Sequence, residues 1–274
     1  MSLTKTGPGS RKNQPRTPGA GRPSGPGGTG PSARRAEAVV VLVRPETPEN
    51  VGLAARAMKN TGFSRLRLAG PDRLDPAAFR TAVHARDILS SSSCFPDLAA
   101  AVSDLNLVFA STARPRQNFS VLGFDEAVTK MLALRPPVRF GIVFGNERTG
   151  LTSAELAASN FRFTIPQALR QPSYNLAAAV LVTLFALFRG GRGAARAGPP
   201  SAAAAPPLPF SEQEECLRLI LRKLEERRFI HATNARHAAE MVRDLIGRLT
   251  ITAGDRRLLL AMFSHAGRDP EDRD

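Results

Sequence analysis

The sequence predicts an α/β domain with a mainly parallel sheet, followed by a small domain of helices. Short runs rich in Val, Leu, Ile and Phe alternate with segments whose apolar residues recur at helical spacing, which is typical of α/β proteins. A segment rich in Gly, Pro and Ala then precedes three amphipathic stripes. The chain is therefore divided into a tail (1–36), the α/β domain (37–188), a linker (189–209) and the helical domain (210–268).

The candidate strands are short runs dominated by apolar residues, which suit strands that are buried on both faces of a parallel sheet. They lie at 38–43, 66–69, 105–110 and 140–144. Between them, the spacing of apolar residues predicts helices at 51–59, 76–89 and 125–134. The run at 176–188 is apolar nearly all round, so a helix there has to be buried, either in the domain core or against a second subunit.

The helical domain opens with the spacing of a capping box, in which Ser211 stands three residues before Glu214. Apolar stripes at helical spacing lie at 217–224, 238–246 and 258–263. These stripes predict helices that pack into a small core of their own.

The charge of the chain points to a polyanionic partner, either nucleic acid or an acidic membrane surface. The net charge is +14, and the tail 1–36 holds seven Lys or Arg and no acid. Because this tail has few apolar residues to bury, we expect it to be disordered.

Several classes of protein are excluded by what the chain contains. The longest apolar run is shorter than the roughly 18 to 20 residues of a bilayer span, and no apolar segment of a secretory signal follows the basic N-terminal residues. Cys94 and Cys216 lie too far apart for a zinc ribbon or a disulfide scaffold. His231 and His237 have no Cys pair beside them, so no metal site is expected. A cytoplasmic protein is the expectation.

Three segments carry glycines and polar residues where a parallel sheet presents its ligand-binding edge, at the carboxyl ends of strands. In the first, which follows strand 38–43, Asn50 could cap the next helix and Gly52 would let another backbone approach closely. Arg56 would project from the early turns of that helix. Taken alone, the segment is more typical of a capped surface helix.

The second segment runs from strand 140–144 into a turn bounded by Gly145 and Gly150. It is not a nucleotide P-loop, because Leu151 follows Gly150 where the motif needs Lys, and the glycine pattern of a dinucleotide fold is absent. An ordinary strand-to-helix turn explains it equally well.

The third segment runs from Ile165 and Pro166 through Ser173 to Asn175, where the apolar helix begins. Ser173 or Asn175 could simply cap that helix. Core packing alone would account for its apolar surface.

In their order and spacing, the three segments resemble the signature motifs of the SPOUT superfamily of RNA methyltransferases, in its SpoU or TrmH-type branch of ribose 2′-O-methyltransferases. The residues that carry the resemblance are Asn50, Gly52 and Arg56 in motif one, Phe144, Gly145, Glu147, Gly150 and Leu151 in motif two, and Ile165, Pro166, Ser173, Asn175 and Leu176 in motif three. The helical domain, with Phe229 and Ile230 after its first helix, is similar to the extension of TrmJ-type tRNA methyltransferases.

The resemblance implies a trefoil knot in the carboxyl half of the α/β domain, where S-adenosylmethionine binds mostly through backbone groups. No metal is implied. The implied cofactor residues are Ser111, Thr112, Ala113, Gly145, Ile165, Pro172, Ser173, Tyr174 and Leu176.

The resemblance also implies methyl transfer to a ribose 2′-hydroxyl, with Arg56 in a central role and Asn50, Glu147, Ser173 and Asn175 around it. A guanidinium has a pKa above about 12, so we interpret Arg56 as an orienting donor and expect the proton to leave through phosphate or water. Glu147 is expected to hold Arg56 or another motif residue by a charge-assisted hydrogen bond.

As partners, the resemblance implies tRNA, methylated at position 32 of the anticodon loop, and a second copy of the chain, bound through the knot region. No membrane and no DNA partner is expected. Two alternatives stay open, an rRNA methyltransferase of the same fold and a non-catalytic RNA-binding protein that retains the fold.

The chain departs from the family pattern at 169–172, where the family more commonly has aromatic or small residues. This difference bears on the loop conformation and on substrate preference.

Overall fold

The computed structural model describes residues 36–71, 73–113, 120–168, 173–194, 205–230 and 235–265. The tail that we expect to be disordered lies outside this part except for Ala36, and so do Pro172, His231 and residues 195–204 of the predicted linker.

In this part of the chain, seven strands form one parallel sheet. They are β1 (Glu37–Val43), β2 (Arg65–Ala69), β3 (Ser93–Phe95), β4 (Leu107–Ser111), β5 (Val121–Leu122), β6 (Arg139–Phe144) and β7 (Phe161–Phe163). Their order across the sheet is β3-β2-β1-β6-β4-β7-β5. On β1, Val40 lies between Leu66 of β2 and Ile142 of β6. The predicted α/β class with a mainly parallel sheet is confirmed.

Helices cover both faces of this sheet. They are α1 (Pro48–Thr61), α2 (Ala78–Ala82), α3 (Arg86–Ser90), α4 (Leu98–Val102), α5 (Phe124–Ala133), α6 (Ser153–Ala157) and α7 (Leu176–Ala194). The single helix predicted at 76–89 is broken by a 3₁₀ turn at Val83–Ala85, where Val83 has a φ of 51°. Helix α7 continues to Ala194, so the first residues of the predicted linker are helical.

The alternation of side chains along β1 divides the core into two layers. Val40 and Leu42 pack with residues of α1, α5 and α7, among them Met58 and Leu184. Val39 and Val41 face the opposite layer, together with residues of α4 and α6. One face of α7 is therefore buried in the domain core, as its apolar sequence predicts.

Three further helices follow, α8 (Phe210–Glu226), α9 (Ala235–Arg248) and α10 (Ala253–His265). Their core contains Cys216, Leu217 and Ile246. The predicted capping box is wrong. Helix α8 begins at Phe210, after Pro209, without a side-chain cap, because the Phe210 amide donates to the backbone oxygen of Leu105 instead.

Buried polar contacts join these helices to the sheet. Asn160 Nδ2 donates to Gln213 Oε1 at 2.8 Å, and Gln213 Nε2 donates to the backbone oxygen of Asn106 at 2.7 Å. Arg162 on β7 forms an ion pair of 2.7 Å with Asp244 on α9. The C-terminal helices thus pack directly against the α/β part.

None of the helices described is both long and apolar enough to cross a membrane. The trefoil knot stays a prediction, since residues 114–119 and 169–172 of the chain path lie outside the described part.

Candidate active site

A pocket lies at the carboxyl ends of β4, β6 and β7, where a parallel sheet is expected to bind ligands. All implied cofactor residues that the structure describes line it: Ser111, Thr112, Ala113, Gly145, Ile165, Ser173, Tyr174 and Leu176. Pro172 lies outside the described residues. The structure therefore brings together residues that come from three separate parts of the sequence.

Backbone hydrogen bonds hold the loops that leave these strands. The Thr112 amide donates to the Phe163 oxygen at 2.9 Å, and the Thr164 amide donates to the Leu122 oxygen at 3.2 Å. The Tyr174 hydroxyl donates to the Pro166 oxygen at 2.9 Å. These bonds fix the walls of the pocket next to Ile165.

The motif-two loop is a tight turn that depends on two glycines. A Cβ on Gly145 would lie 2.5 Å from the backbone carbon of Gly150 and from the amide of Leu151. Gly150 has a φ of 67°, in the left-handed region that favours glycine. The turn is closed by the Gly150 amide, which donates to the Asn146 oxygen at 2.8 Å.

Asn146 is a buried residue of this loop that sequence reasoning missed. Its Oδ1 accepts hydrogen bonds from the amides of Arg148 and Thr149, at 3.0 and 2.9 Å. Its Nδ2 donates to the Arg44 oxygen at 2.8 Å. An Asn that starts a glycine-containing turn is a readable signal, because this side chain bonds to its own backbone two residues on.

The carboxylate of Glu147 faces the amino end of α1. It accepts hydrogen bonds from the amides of Glu46 and Thr47, at 2.9 and 3.3 Å, and from Asn50 Nδ2 at 2.9 Å. Burial raises the pKa of Glu147, but these hydrogen bonds together outweigh burial, so the pKa is lowered from 4.5. Glu147 is thus an ionised acceptor, placed where the helix dipole favours negative charge.

Asn50 connects Glu147 to motif three. Its Oδ1 accepts a hydrogen bond of 3.0 Å from Asn175 Nδ2. The expectation that Asn50 caps α1 is wrong, because the helix already begins at Pro48, its N-cap is Thr47, and Asn50 lies buried in the first turn. Asn175 caps α7 instead, with Oδ1 accepting from the Ala177 amide at 2.9 Å.

Gly52 allows the close approach that we expected of it. A Cβ there would lie 2.1 Å from the Ala78 oxygen and 2.2 Å from Thr81 Oγ1. Thr81 Oγ1 donates to the Glu49 oxygen at 2.8 Å, across the same contact. The first turns of α1 are thereby fixed against α2.

Arg56 lies apart from the other motif residues. It is exposed on α1, is not among the residues that line the pocket, and makes no side-chain hydrogen bond or ion pair within the described residues. Of the two contacts expected for Glu147, the structure shows the one to another motif residue, Asn50.

Sequence reasoning also missed an ion pair behind the motif-two loop. Arg44 binds Glu155 through Nε and Nη2, at 3.0 and 2.8 Å. Glu155 forms a capping box with Thr152 at the start of α6. The Thr-x-x-Glu spacing is readable from the sequence, whereas its pairing with Arg44 depends on the fold.

Comparison with known proteins agrees with this arrangement. The chain matches the SpoU rRNA Methylase family over residues 37–185, which includes all three motif segments. It is 38% identical over 149 residues to the tRNA (cytidine/uridine/adenosine-2′-O-)-methyltransferase TrmJ of Pseudomonas aeruginosa (strain UCBPP-PA14), covering 53% of this chain and 58% of that protein. It is 35% identical over 151 residues to the uncharacterized tRNA/rRNA methyltransferase LasT of Escherichia coli (strain K12), covering 54% of this chain and 66% of that protein. The chain thus spans less than two thirds of the length of these curated relatives.

Solved structures show the same likeness. TrmJ from Z. mobilis ZM4 matches with a TM-score of 0.71 and 27% identity, over 84% of this chain and 99% of that chain. A probable methylase family protein from Haemophilus influenzae Rd KW20 matches with a TM-score of 0.55 and 26% identity, over 83% of this chain and 94% of that chain. Because the family model matches more than half of its length, including the three connected motif segments, the chain belongs to the SpoU rRNA Methylase family.

Proposed function

We propose that this protein transfers a methyl group from S-adenosylmethionine to a ribose 2′-hydroxyl of tRNA. The observation that carries the proposal is the hydrogen-bonded chain Asn175–Asn50–Glu147, which joins all three motifs at the edge of one pocket. The names of the relatives support the reaction, because TrmJ of Pseudomonas aeruginosa is a tRNA (cytidine/uridine/adenosine-2′-O-)-methyltransferase.

The lining of the pocket fits the proposed cofactor. The side chains of Leu151, Ile165 and Leu176 are buried and apolar, so they offer a surface for an adenine ring. Ser111 and Thr112 line the same pocket at the end of β4 and offer hydroxyl and backbone groups for polar atoms. When bound, S-adenosylmethionine supplies an electrophilic methyl group on its sulfonium.

The protein's own residues position the attacking oxygen. In the proposed reaction the ribose oxygen bonds to the methyl carbon as the carbon–sulfur bond breaks, and the hydroxyl proton leaves to phosphate or water. Arg56 serves as a donor that orients the phosphate or the developing alkoxide, since a guanidinium offers hydrogen-bond donors and no acceptor. Glu147 holds Asn50 and the start of α1, which carries Arg56, in place.

A second copy of the chain completes this site in our proposal. Arg56 lies away from the pocket of its own chain, which supports an action at the pocket of the second copy. Helices α1 and α7 pack against each other and carry three exposed apolar residues, Leu53 on α1 and Leu181 and Phe185 on α7. Their exposed fractions are 41, 44 and 49%. This patch suits a homodimer interface. A monomer in sedimentation experiments at assay concentration would contradict the homodimer.

The proposed substrate is tRNA at position 32, in the cytoplasm. The likeness to TrmJ from Z. mobilis ZM4 supports tRNA over rRNA, because it covers 84% of the chain and so extends into the C-terminal helices. Incubation with labelled cofactor and either unmodified tRNA or rRNA tests this choice. We expect label in tRNA. Label in rRNA alone would favour the rRNA methyltransferase, and RNA binding without label would favour the non-catalytic protein.

A further inference from the structure

An ion pair that belongs to none of the three motifs holds the motif-two loop from behind. Arg44 directly follows β1, and its guanidinium binds both carboxylate oxygens of Glu155, at 3.0 and 2.8 Å. Such two-pronged bonds between Arg and a carboxylate fix geometry as well as charge. The Arg44 side chain is 39% exposed and that of Glu155 is 18% exposed, so the pair is partly shielded from water.

Arg44 makes this contact from an unfavourable backbone conformation. Its φ is 47°, in the left-handed region where residues other than Gly, Asn and Asp are uncommon. Its side chain lies over Gly70, where a Cβ would be 2.7 Å from Arg44 Cγ. The Arg44 amide donates to the Ala69 oxygen at 2.7 Å. A local conformation of this kind persists only where surrounding contacts determine it.

Arg44 contacts the motif-two loop on both sides of its turn. At the start of the turn, the Arg44 oxygen accepts from Asn146 Nδ2 at 2.8 Å. At its end, Arg44 Nη2 lies 3.4 Å from the Gly150 oxygen. Glu155 Oε2 also accepts from the Thr152 amide at 2.7 Å, so the chain just beyond Leu151 is held by the same carboxylate.

The side chain of Arg44 does not line the pocket, whereas the loop 145–151 that it contacts forms one pocket wall. None of the hydrogen bonds of Glu147 or Asn50 involves that side chain. Arg44 can therefore influence the pocket wall 145–151 without taking part in the hydrogen bonds between Asn175, Asn50 and Glu147 that join the motifs.

We propose that Arg44 is a positioning residue, which through Glu155 and Gly150 keeps the wall 145–151 in the shape that binds S-adenosylmethionine. This inference rests on the proposed function. In this role Arg44 affects the affinity for the cofactor and not the chemical step.

The test uses Arg44→Gly in the full chain. Glycine accepts the left-handed backbone at this position, so the variant removes the ion pair and relieves the conformation at once. We expect the dissociation constant and the KM for S-adenosylmethionine to rise about tenfold, with kcat within about twofold, because affinity is lost without loss of the reacting geometry. Because the glycine also relieves the backbone conformation, we expect the melting temperature to change little. The rise in KM at nearly constant kcat is the result that a merely stabilising ion pair would not give.

Two further variants and one control complete the experiment. Glu155→Gln keeps an acceptor for Thr152 but removes the charge, and Arg44→Lys keeps the charge but loses the two-pronged bond, so both should weaken cofactor binding less than Arg44→Gly does. Arg65→Ala removes a more exposed ion pair, with Glu37 at the opposite end of the sheet, and should leave cofactor binding unchanged. Folded Arg44→Gly or Glu155→Gln protein that binds the cofactor as tightly as wild type would overturn the inference. Wild-type protein that fails to bind the cofactor would overturn the proposed function itself.

Discussion

Glu147 accepts a hydrogen bond of 2.9 Å from Asn50 Nδ2, and this contact joins two motifs that are 97 residues apart in the sequence. The same carboxylate accepts from the Glu46 and Thr47 amides, so it holds the two residues that lead into α1. Motif two thereby fixes the position of motif one, and Asn175 extends the connection to motif three.

Replacing Glu147 by Ala is expected to disrupt this start of α1. The two amides and Asn50 would lose their acceptor. The free energy of unfolding should therefore fall by about 1–3 kcal/mol, which is the cost of one unsatisfied buried group, and methyl transfer should fall by about tenfold or more. Urea denaturation and a methyl-transfer assay measure both effects. Glu126→Ala, which removes an exposed carboxylate on α5, is the control and should leave both unchanged. Full activity of Glu147→Ala would contradict our interpretation of this residue.

The lowered pKa of Glu147 predicts a dependence on pH. Because the pKa of the folded state lies below the ordinary value of 4.5, the ionised carboxylate stabilises the fold above that pH, and the contribution is lost as pH falls through the lowered pKa. The difference in free energy of unfolding between wild type and Glu147→Gln should be constant from about pH 6 to about pH 8 and shrink below about pH 4.5. A difference that grows with falling pH would show that the sign is wrong.

Two substitutions of Asn175 separate its two contacts. Asn175→Asp keeps an acceptor for the Ala177 amide at the start of α7 but loses the donor to Asn50. Asn175→Ala loses both contacts. We expect both variants to lose methyl transfer, and only Asn175→Ala to lose about 1 kcal/mol of stability from the missing cap. Equal stability of the two variants would argue against the capping role.

Gly52→Ala should be strongly destabilising. Its Cβ would lie 2.1 Å from the backbone oxygen of Ala78, so α1 and α2 would have to separate. We expect a loss of about 2 kcal/mol or more in the free energy of unfolding, which is in the range found for overpacked sites. The control is Gly123→Ala, because no atom lies within 4 Å of that Cβ. Thermal denaturation that shifts equally for both variants would contradict the close contact.

Asp244→Ala is expected to detach α9 from the sheet. The Arg162 side chain is 1% exposed, and burial lowers its pKa to about 10, so it stays charged at neutral pH. Removing Asp244 breaks this buried ion pair, and the loss of one partner costs about 3–5 kcal/mol in comparable pairs. Glu226→Ala breaks an exposed pair with Lys223 and should cost about 1 kcal/mol or less. Urea denaturation that gives equal losses would show that the buried pair contributes little.

The sequence was sufficient to predict the central strands. Strands β1, β4 and β6 have five to seven residues and are mostly apolar, because both faces of the sheet are covered, whereas β2 alternates Arg with Leu. Strands β3, β5 and β7 have two or three residues, so they are too short for any pattern. Their pairing is decided by contacts between distant segments, such as Val121 with Arg162.

At the site, the residue types were readable and their contacts were not. The glycines and polar residues of the three motifs could be recognised, and Asn50, Glu147 and Asn175 do meet through hydrogen bonds, whereas Arg56 lies apart. Asn50 has the side chain of a helix cap, yet its Oδ1 accepts from Asn175 and its Nδ2 donates to Glu147, 97 residues away. The ion pair between Arg44 and Glu155 spans 111 residues, and no local spacing reveals it.

The most direct test of the account is methyl transfer from labelled S-adenosylmethionine to unmodified tRNA, with the labelled nucleotide mapped, for wild type and for Arg56→Ala. We predict label on the ribose 2′-oxygen of nucleotide 32 with wild-type protein, and no label with Arg56→Ala, although that variant still binds the cofactor. Wild-type protein that binds the cofactor but leaves tRNA unlabelled, or Arg56→Ala protein with full turnover, would contradict the account.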